Sequence, residues 1–452
     1  MNIEAIKKVY FVGIGGIGMS ALARFFKQRG VDVNGYDKTE TDLTRTLVQE
    51  EIGVTYTDAE SEMKKDVDVV IYTPAIPQDN VILNAYRRDN VPVFKRSDAL
   101  QWITEAMYSI TVAGTHGKTT VSTMIGHILR ESGYGCNAFL GGISVNYNTN
   151  YWSSDNKVAV IEADEYDRSF LKLKPDVAVL TAMDADHLDI YGTAEAVQEA
   201  YIQYTENIKP DGILIKKHGL KNGNLLKGAH KKSYSLQNTG ADAYADNIQI
   251  KNGGYIFDVK GKGIFITGIH LDIGGMHNVE NCIAAITVAK QLEIEDDDIK
   301  AAVANFKGVK RRFEYIVKNE KVVYIDDYAH HPEELAALIK SAKTLFSKRR
   351  IVIAFQPHLY SRTRDFAAEF AHALDMADEV ILLDIYPARE LPIEGVDAQM
   401  IKNKMGNPNV TILSKEGLLS YVTNAPLDLF ITAGAGDIDK LVAPIGEILA
   451  AK

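Results

Sequence analysis

The run Val112-Ala-Gly114-Thr-His-Gly117-Lys118-Thr119-Thr120 carries the most specific chemistry in the sequence. Its Gly-Lys-Thr follows an apolar run and opens a helix-like stretch through Leu129, the arrangement of a phosphate loop. In such a loop, backbone N–H groups and a helix N-terminus hold phosphate oxygens. Lys118 can reach the terminal phosphates, and the Thr119 hydroxyl can ligate Mg2+. A strict loop has a further glycine where this chain has Val112, so the form is shortened. The pattern points to a nucleoside triphosphate.

Other clusters add to it. Gly13-Ile-Gly15-Gly16-Ile-Gly18 follows an apolar run, with Asp37 nineteen residues beyond Gly18. Such glycines let a nucleotide diphosphate approach the backbone, and the acid can reach a ribose. The string alone does not decide between NAD, a UDP-type ligand and structural glycines. Glu162-Ala-Asp164-Glu165-Tyr-Asp167 places four carboxylates in six residues. Mg2+ takes one or two carboxylates plus phosphate oxygens. Glu162, first beyond the apolar run, is best placed for it, and the other three read as solvated. In Asp184-Ala-Asp186-His187-Leu-Asp189, His187 can serve as a metal ligand or a phosphate contact. His277 and Asn281 stand four apart at the start of a helical pattern and suit adenine or a helix cap. The last third adds Lys310-Arg311-Arg312, Asp326-Asp327-Tyr328-Ala-His330-His331, Gln356-Pro-His358-Leu359-Tyr360-Ser-Arg362 and Gly434-Ala-Gly436-Asp437. The His-His pair invites zinc, but no third ligand is spaced for it.

The elements that must position these residues are legible as short apolar runs, each followed by one of the polar loops. The runs are Val9–Val12, Val67–Tyr72, Ile110–Ala113, Val158–Ile161, Val177–Leu180, Val322–Ile325, Ile351–Phe355, Val380–Leu383 and Leu429–Thr432. Separated by helix-like stretches, they predict buried parallel strands in an α/β fold, with ligands beyond the strands' C-terminal ends. Breaks in the rhythm give three domains, 1–108, 109–306 and 307–452. Ser97–Met107 reads as a helical linker and Asn305–Arg312 as a hinge. Between Pro210 and Ile273 the pattern alternates, as in a small antiparallel extension, and a helix follows from His277 to Leu292.

Composition narrows the classes. The 452 residues suffice for about three domains, and 46% hydrophobic with 24% charged residues excludes a disordered or collagen-like chain. A net charge of −10 argues against a nucleic-acid binder, so anionic ligands need local pockets. Two cysteines, Cys136 and Cys282, without metal-type spacing fit a reducing cytoplasm. The start of the chain reads as neither a signal peptide nor a membrane span.

Taken in order, the motifs resemble the Mur ligase family over the whole chain. The resemblance runs from Gly13-Ile-Gly-Gly-Ile-Gly-Met-Ser-Ala-Leu through Gly114-Thr-His-Gly-Lys-Thr-Thr and Asp327-Tyr-Ala-His-His-Pro to Gly434-Ala-Gly-Asp. The N-terminal glycines and Phe355-Gln-Pro-His mark its alanine-adding branch. The resemblance implies a Rossmann-like N-terminal domain holding UDP, a central P-loop ATPase domain and a Rossmann-like C-terminal domain admitting the amino acid. It implies joining L-alanine to UDP-N-acetylmuramate with ATP, releasing ADP and phosphate, in peptidoglycan synthesis, with no nucleic-acid or membrane partner.

By the same resemblance Gly114, Thr115, His116, Gly117, Lys118, Thr119 and Thr120 hold ATP. Thr119 and Glu162 hold one Mg2+ and His187 a second; His277 and Asn281 face adenine. Arg312 reaches the γ-phosphate, and Asp327 the ribose of ATP. Lys118, Glu162, His187 and Arg312 form the catalytic set. Gly13, Gly15, Gly16, Gly18 and Asp37 take the UDP-sugar, and His358 and Arg362 the alanine carboxylate. Sibling ligases carry a modified lysine after the metal-site histidine, and no lysine stands between Leu188 and Ile208 here. Leu359 occupies a position that is arginine in many alanine-adding relatives, which leaves Arg362 as the principal anchor. A peptide-recycling ligase of the same family is the nearest alternative. An NAD-dependent oxidoreductase would leave Gly114–Thr120 without a task, and a nucleotide-binding regulator would leave Glu162, His187 and Arg312 so.

Overall fold

The structure, a computed structural model, describes every residue except 185–187 and 389, and the side chains of all but these and residues 188 and 189. Three sheets carry the chain, and two compact units divide it. One comprises Met1–Asn247, Phe257–Ile269 and Glu280–Phe306; the other comprises Ile248–Ile256, His270–Val279 and Lys307–Lys452.

In the first unit, β1 (Lys8–Val12), β2 (Asp32–Tyr36), β3 (Gly53–Thr55), β4 (Val69–Tyr72) and β5 (Val93–Lys95) form a parallel sheet ordered β3-β2-β1-β4-β5. β1 is central and buried from Val9 to Val12. A strand covered on both faces is apolar throughout rather than alternating, which is why it stands out in the sequence. The chain leaves β1 through the glycine string into α1 (Ile17–Gln28), at the point where the strand order reverses and open α/β sheets bind ligands.

The second sheet contains β6 (Tyr108–Ala113), β7 (Asn137–Ser144), β8 (Thr149–Trp152), β9 (Val158–Glu162), β10 (Val177–Leu180), β11 (Ile213–Lys217), β12 (His230–Ser235), β13 (Ala243–Lys251), β14 (Gly254–Gly261) and β15 (Ile264–Leu271). Their order is β15-β14-β13-β12-β11-β10-β6-β9-β7-β8. β6 lies between β10 and β9, parallel to both, so the loops that follow these three strands emerge side by side. That adjacency brings Gly114–Thr120, Glu162–Asp167 and Asp184 to one edge. β11 and β12 pair in parallel, as do β12 and β13, so the change of pattern at Pro210 is not yet a change of strand direction. Alternation there records one solvated face. The antiparallel part begins with β13, β14 and β15, joined by two-residue turns that only antiparallel neighbours permit. Asn252 and Gly253, at φ 51° and 73°, make the first of these turns.

These two sheets share a core. One cluster includes Phe11, Phe25 and Phe26 together with Phe139, Tyr151, Tyr201 and Tyr204. Phe25 of α1 sits 5.2 Å from Phe139 of β7, ring centre to ring centre. Arg24, also on α1, is 6% exposed, pairs with Glu50 at 2.6 Å, and donates to Asn150 of β8. Breaking the pair would leave a charge in the core.

In the second unit, β16 (Glu314–Lys318), β17 (Val323–Asp327), β18 (Ile351–Phe355), β19 (Glu379–Leu382), β20 (Val410–Ile412) and β21 (Leu429–Ala433) form a sheet ordered β16-β17-β21-β18-β19-β20. It is parallel except for β16. The C-terminal ends of β17, β21 and β18 carry Asp327, Gly434 and Gln356. Among the described residues no helix is long and apolar enough to cross a membrane.

Candidate active site

The Gly114–Thr120 loop joins β6 to α2 (Lys118–Glu131). Gly117 caps α2 with φ +82°, and a Cβ there would come 2.8 Å from Asn281 Oδ1, so the left-handed turn and the close amide both require glycine. Asn281, on α3 (Met276–Gln291), is thus against the loop itself. The buried Thr115 hydroxyl accepts from Asp184 N–H at 3.2 Å, while His116 is exposed and Thr120 half-buried. Lys118 Nζ donates to Gly114 O at 2.9 Å and to Glu165 Oε1 at 2.7 Å.

The acidic loop corrects one expectation. Asp164, Glu165 and Asp167 are not simply solvated; each has a cation. Arg96 approaches Asp164 at 3.3 Å, Lys95 approaches Asp167 at 3.0 Å, and Lys118 holds Glu165. Carboxylates this close repel one another unless opposite charge intervenes, and three cations from the end of β5 and the starts of two helices supply it. Glu162 alone of the four makes no ion pair among the described residues. It accepts from Gly141 N–H at 3.1 Å, and the Thr119 hydroxyl hydrogen-bonds to it. Burial raises its pKa, and nearby Lys118 and these donors oppose the shift. Both Glu162 oxygens lie 2.4 Å from where a Gly141 Cβ would stand, so that backbone cradles the carboxylate.

Among the described residues no three His, Cys, Asp or Glu side chains gather as a metal cage. A carboxylate beside a threonine hydroxyl and a phosphate loop nonetheless fits Mg2+, which takes its remaining ligands from phosphate and water. His187, the other expected ligand, lies outside the described residues.

At the N-terminal sheet, much of the glycine string serves the protein's own atoms. Gly15 N–H donates to Asp37 Oδ2 at 2.8 Å, and Thr39 N–H to Asp37 Oδ1 at 3.2 Å. Asp37 therefore braces the loop with the same carboxylate expected at a ribose. A Cβ on Gly18 would strike Arg96 Nη1, whereas one on Gly16 would meet nothing closer than 3.5 Å. Gly13 has φ +87° and abuts Thr73.

In the second unit, His277 lies over Gly275. Asp327 accepts from Phe313 and Ala329 N–H groups, both at 2.7 Å, and burial pushes its pKa up to about 6 against those bonds. Of the basic triplet, Arg311 is committed to Asp326 at 3.0 Å, while Arg312 is exposed and 5.7 Å from the Tyr328 ring. His330 and His331 are not a zinc pair. His331 caps the helix Pro332–Leu345, and His330 Nδ1 lies 3.0 Å from Tyr328 O.

The loop after β18 gathers a second polar centre. His358 stacks on Tyr386 and lies 6.0 Å from His330, ring centre to ring centre. His358 Nδ1 and Arg362 Nη1 are buried without a hydrogen-bond partner among the described residues, two polar groups that call for a partner from outside. Burial and adjacent Arg362 lower the His358 pKa, so its ring is neutral at neutral pH. Leu359 holds φ +72°, an uncommon value for a non-glycine residue that places it at the turn between the two. Gln356 joins this loop to the next, accepting from Ile438 N–H and donating to Asp437, each at 2.9 Å.

Comparison with known families matches three successive stretches of the chain. Models described as Mur ligase family, catalytic domain; Mur ligase middle domain; and Mur ligase, glutamate ligase domain match residues 8–108, 112–289 and 311–436. The chain belongs to the Mur ligase family. A UDP-N-acetylmuramate–L-alanine ligase of Cytophaga hutchinsonii is 47% identical to it, over 98% of this chain and 97% of the relative. The crystal structure of a UDP-N-acetylmuramate-alanine ligase from Thermotoga maritima matches with TM-score 0.83 and 28% identity, over 98% of this chain and 99% of that one. A murein peptide ligase from Psychrobacter arcticus shares the fold, with TM-score 0.68 and 21% identity over 99% of each chain.

In this Mur ligase the residues that sequence reasoning missed are partners rather than motif members. Lys95 and Arg96 fall just ahead of the expected linker helix, with no local pattern to single them out. His330 and Tyr386 reach His358 only through the sheet order. Glu165 stood in view but was not separable from its neighbours.

Proposed function

We propose that the chain joins L-alanine to the carboxylate of UDP-N-acetylmuramate with ATP, forming ADP and phosphate, in the cytoplasmic synthesis of peptidoglycan precursors. The observation that carries this reading is the phosphate loop with Lys118 beside Glu162 and Thr119, where Glu162 makes no ion pair among the described residues. A carboxylate is a poor electrophile. Its oxygen first attacks the γ-phosphate of ATP, giving an acyl phosphate, and the alanine amine then attacks the activated carbonyl and displaces phosphate.

Both reactants of the first step are anions, so catalysis rests on placing positive charge where negative charge moves. Lys118 and the loop N–H groups hold the phosphates, with His116 and Thr120 completing the loop. Glu162 and Thr119 would hold Mg2+, and His187 a second ion; bound there, the metal would supply further positive charge to phosphate oxygens. Asn281 and His277 are assigned to adenine, Asp327 to the ribose and Arg312 to the γ-phosphate. The glycines from Gly13 to Gly18 take the UDP diphosphate, with Asp37 shaping their loop. His358 and Arg362 receive the alanine carboxylate. No enzyme nucleophile is needed. We assign these tasks to domains 1–108, 109–306 and 307–452.

The test is phosphate release from ATP with UDP-N-acetylmuramate and single amino acids or the tripeptide L-alanyl-γ-D-glutamyl-meso-diaminopimelate. L-Alanine should support turnover and yield the alanyl product by mass. Turnover with the tripeptide and none with L-alanine would turn the assignment toward peptide recycling.

A further inference from the structure

We propose that Glu165 is a positioning residue that tethers Lys118 and aims its ammonium at the ATP phosphates; this rests on the phosphate-loop reading above. Glu165 is 1% exposed and Lys118 14%, so the 2.7 Å ion pair is almost wholly shielded from water. The carboxylate stands on an anchored backbone. Glu165 O accepts from the Tyr191 hydroxyl at 2.7 Å and from Arg168 N–H at 2.9 Å. Asp167 and Arg168 both take positive φ, 53° and 55°, in the turn that follows.

Donor geometry makes this pair more than a resting contact. An ammonium has three N–H donors and no acceptor. Gly114 O and Glu165 Oε1 engage two, which fixes the direction of the third. Lysine otherwise acts as a mobile point charge on a flexible stem. Lys118 can leave only by giving up both the Gly114 carbonyl and this shielded ion pair. ATP therefore docks onto a lysine already held, and Glu165 remains paired through the reaction. The tether has an electrostatic consequence. The Glu165 carboxylate, 2.7 Å from the ammonium that is to meet phosphate, offsets part of its charge until metal arrives. Glu165 thus opposes metal-free nucleotide while serving turnover with metal.

Glu165→Gln keeps an acceptor oxygen and removes the charge. Calorimetry with ADP in EDTA should show affinity rising on the order of tenfold. With Mg2+ and all substrates, kcat should fall at least about tenfold. Glu165→Asp keeps the charge one methylene back, so metal-free ADP affinity should stay within about twofold of the unaltered protein while kcat still falls. A fold-supporting role alone would instead lower the melting temperature and weaken ADP binding together. That result, or unchanged kcat in either variant, overturns the inference. If Lys118→Ala binds ADP as tightly as the unaltered chain, the phosphate-loop reading itself fails. If Lys118→Ala loses ADP while Glu165→Gln behaves as unaltered, only the tether fails.

Discussion

Lys118→Ala and Glu162→Ala should each lower turnover on the order of 10²- to 10³-fold at saturating ATP and Mg2+, the usual cost of removing one contact to charge that develops in a transition state. Their effects on stability should differ. Lys118→Ala breaks the buried Lys118–Glu165 pair on one side, which costs up to about 3–5 kcal/mol. Its melting temperature should fall. Adding Glu165→Gln to Lys118→Ala should recover much of that stability and none of the turnover. Glu162 makes no ion pair among the described residues, and burial already disfavours its charge, so Glu162→Ala should melt at or above the unaltered protein. Near-normal turnover in either single variant removes the role assigned to that residue.

Arg362→Lys should raise the KM for L-alanine on the order of 10- to 100-fold and change the KM values for ATP and UDP-N-acetylmuramate by less than about twofold. A guanidinium grips a carboxylate with two parallel hydrogen bonds, and lysine offers a single charge. The buried Nη1 of Arg362 has no hydrogen-bond partner among the described residues, and neither does His358 Nδ1 nearby. Leu359 contributes no charge, so little can compensate. Equal damage to all three KM values, or none, would show that Arg362 only holds its own loop.

The strands were legible because parallel strands covered on both faces must be apolar throughout. Val177–Leu180 and Ile351–Phe355 have the same ends in sequence and structure. β2, whose residues are Asp-Val-Asn-Gly-Tyr, was not, because polar residues interrupt it and neighbouring strands rather than composition hold it in place. The phosphate loop was legible because its chemistry is local, a glycine turn feeding a helix N-terminus. Glu162 could be chosen from its place at a strand end. The tasks of Asp164, Glu165 and Asp167 could not, since Arg96, Lys118 and Lys95 reach them from elsewhere in the chain. Asp37 shows the converse. An acid at ribose spacing spends both oxygens on N–H groups of its own loops, a use that spacing cannot distinguish from ligand binding.

The most direct measurement follows the carboxylate oxygen. UDP-N-acetylmuramate labelled with 18O in its lactyl carboxylate is incubated with ATP, Mg2+ and L-alanine, and the phosphate is analysed by mass. An acyl phosphate requires one labelled oxygen to pass into the released phosphate, with ADP formed alongside the alanyl product. Unlabelled phosphate, or AMP with pyrophosphate in place of ADP, would contradict it.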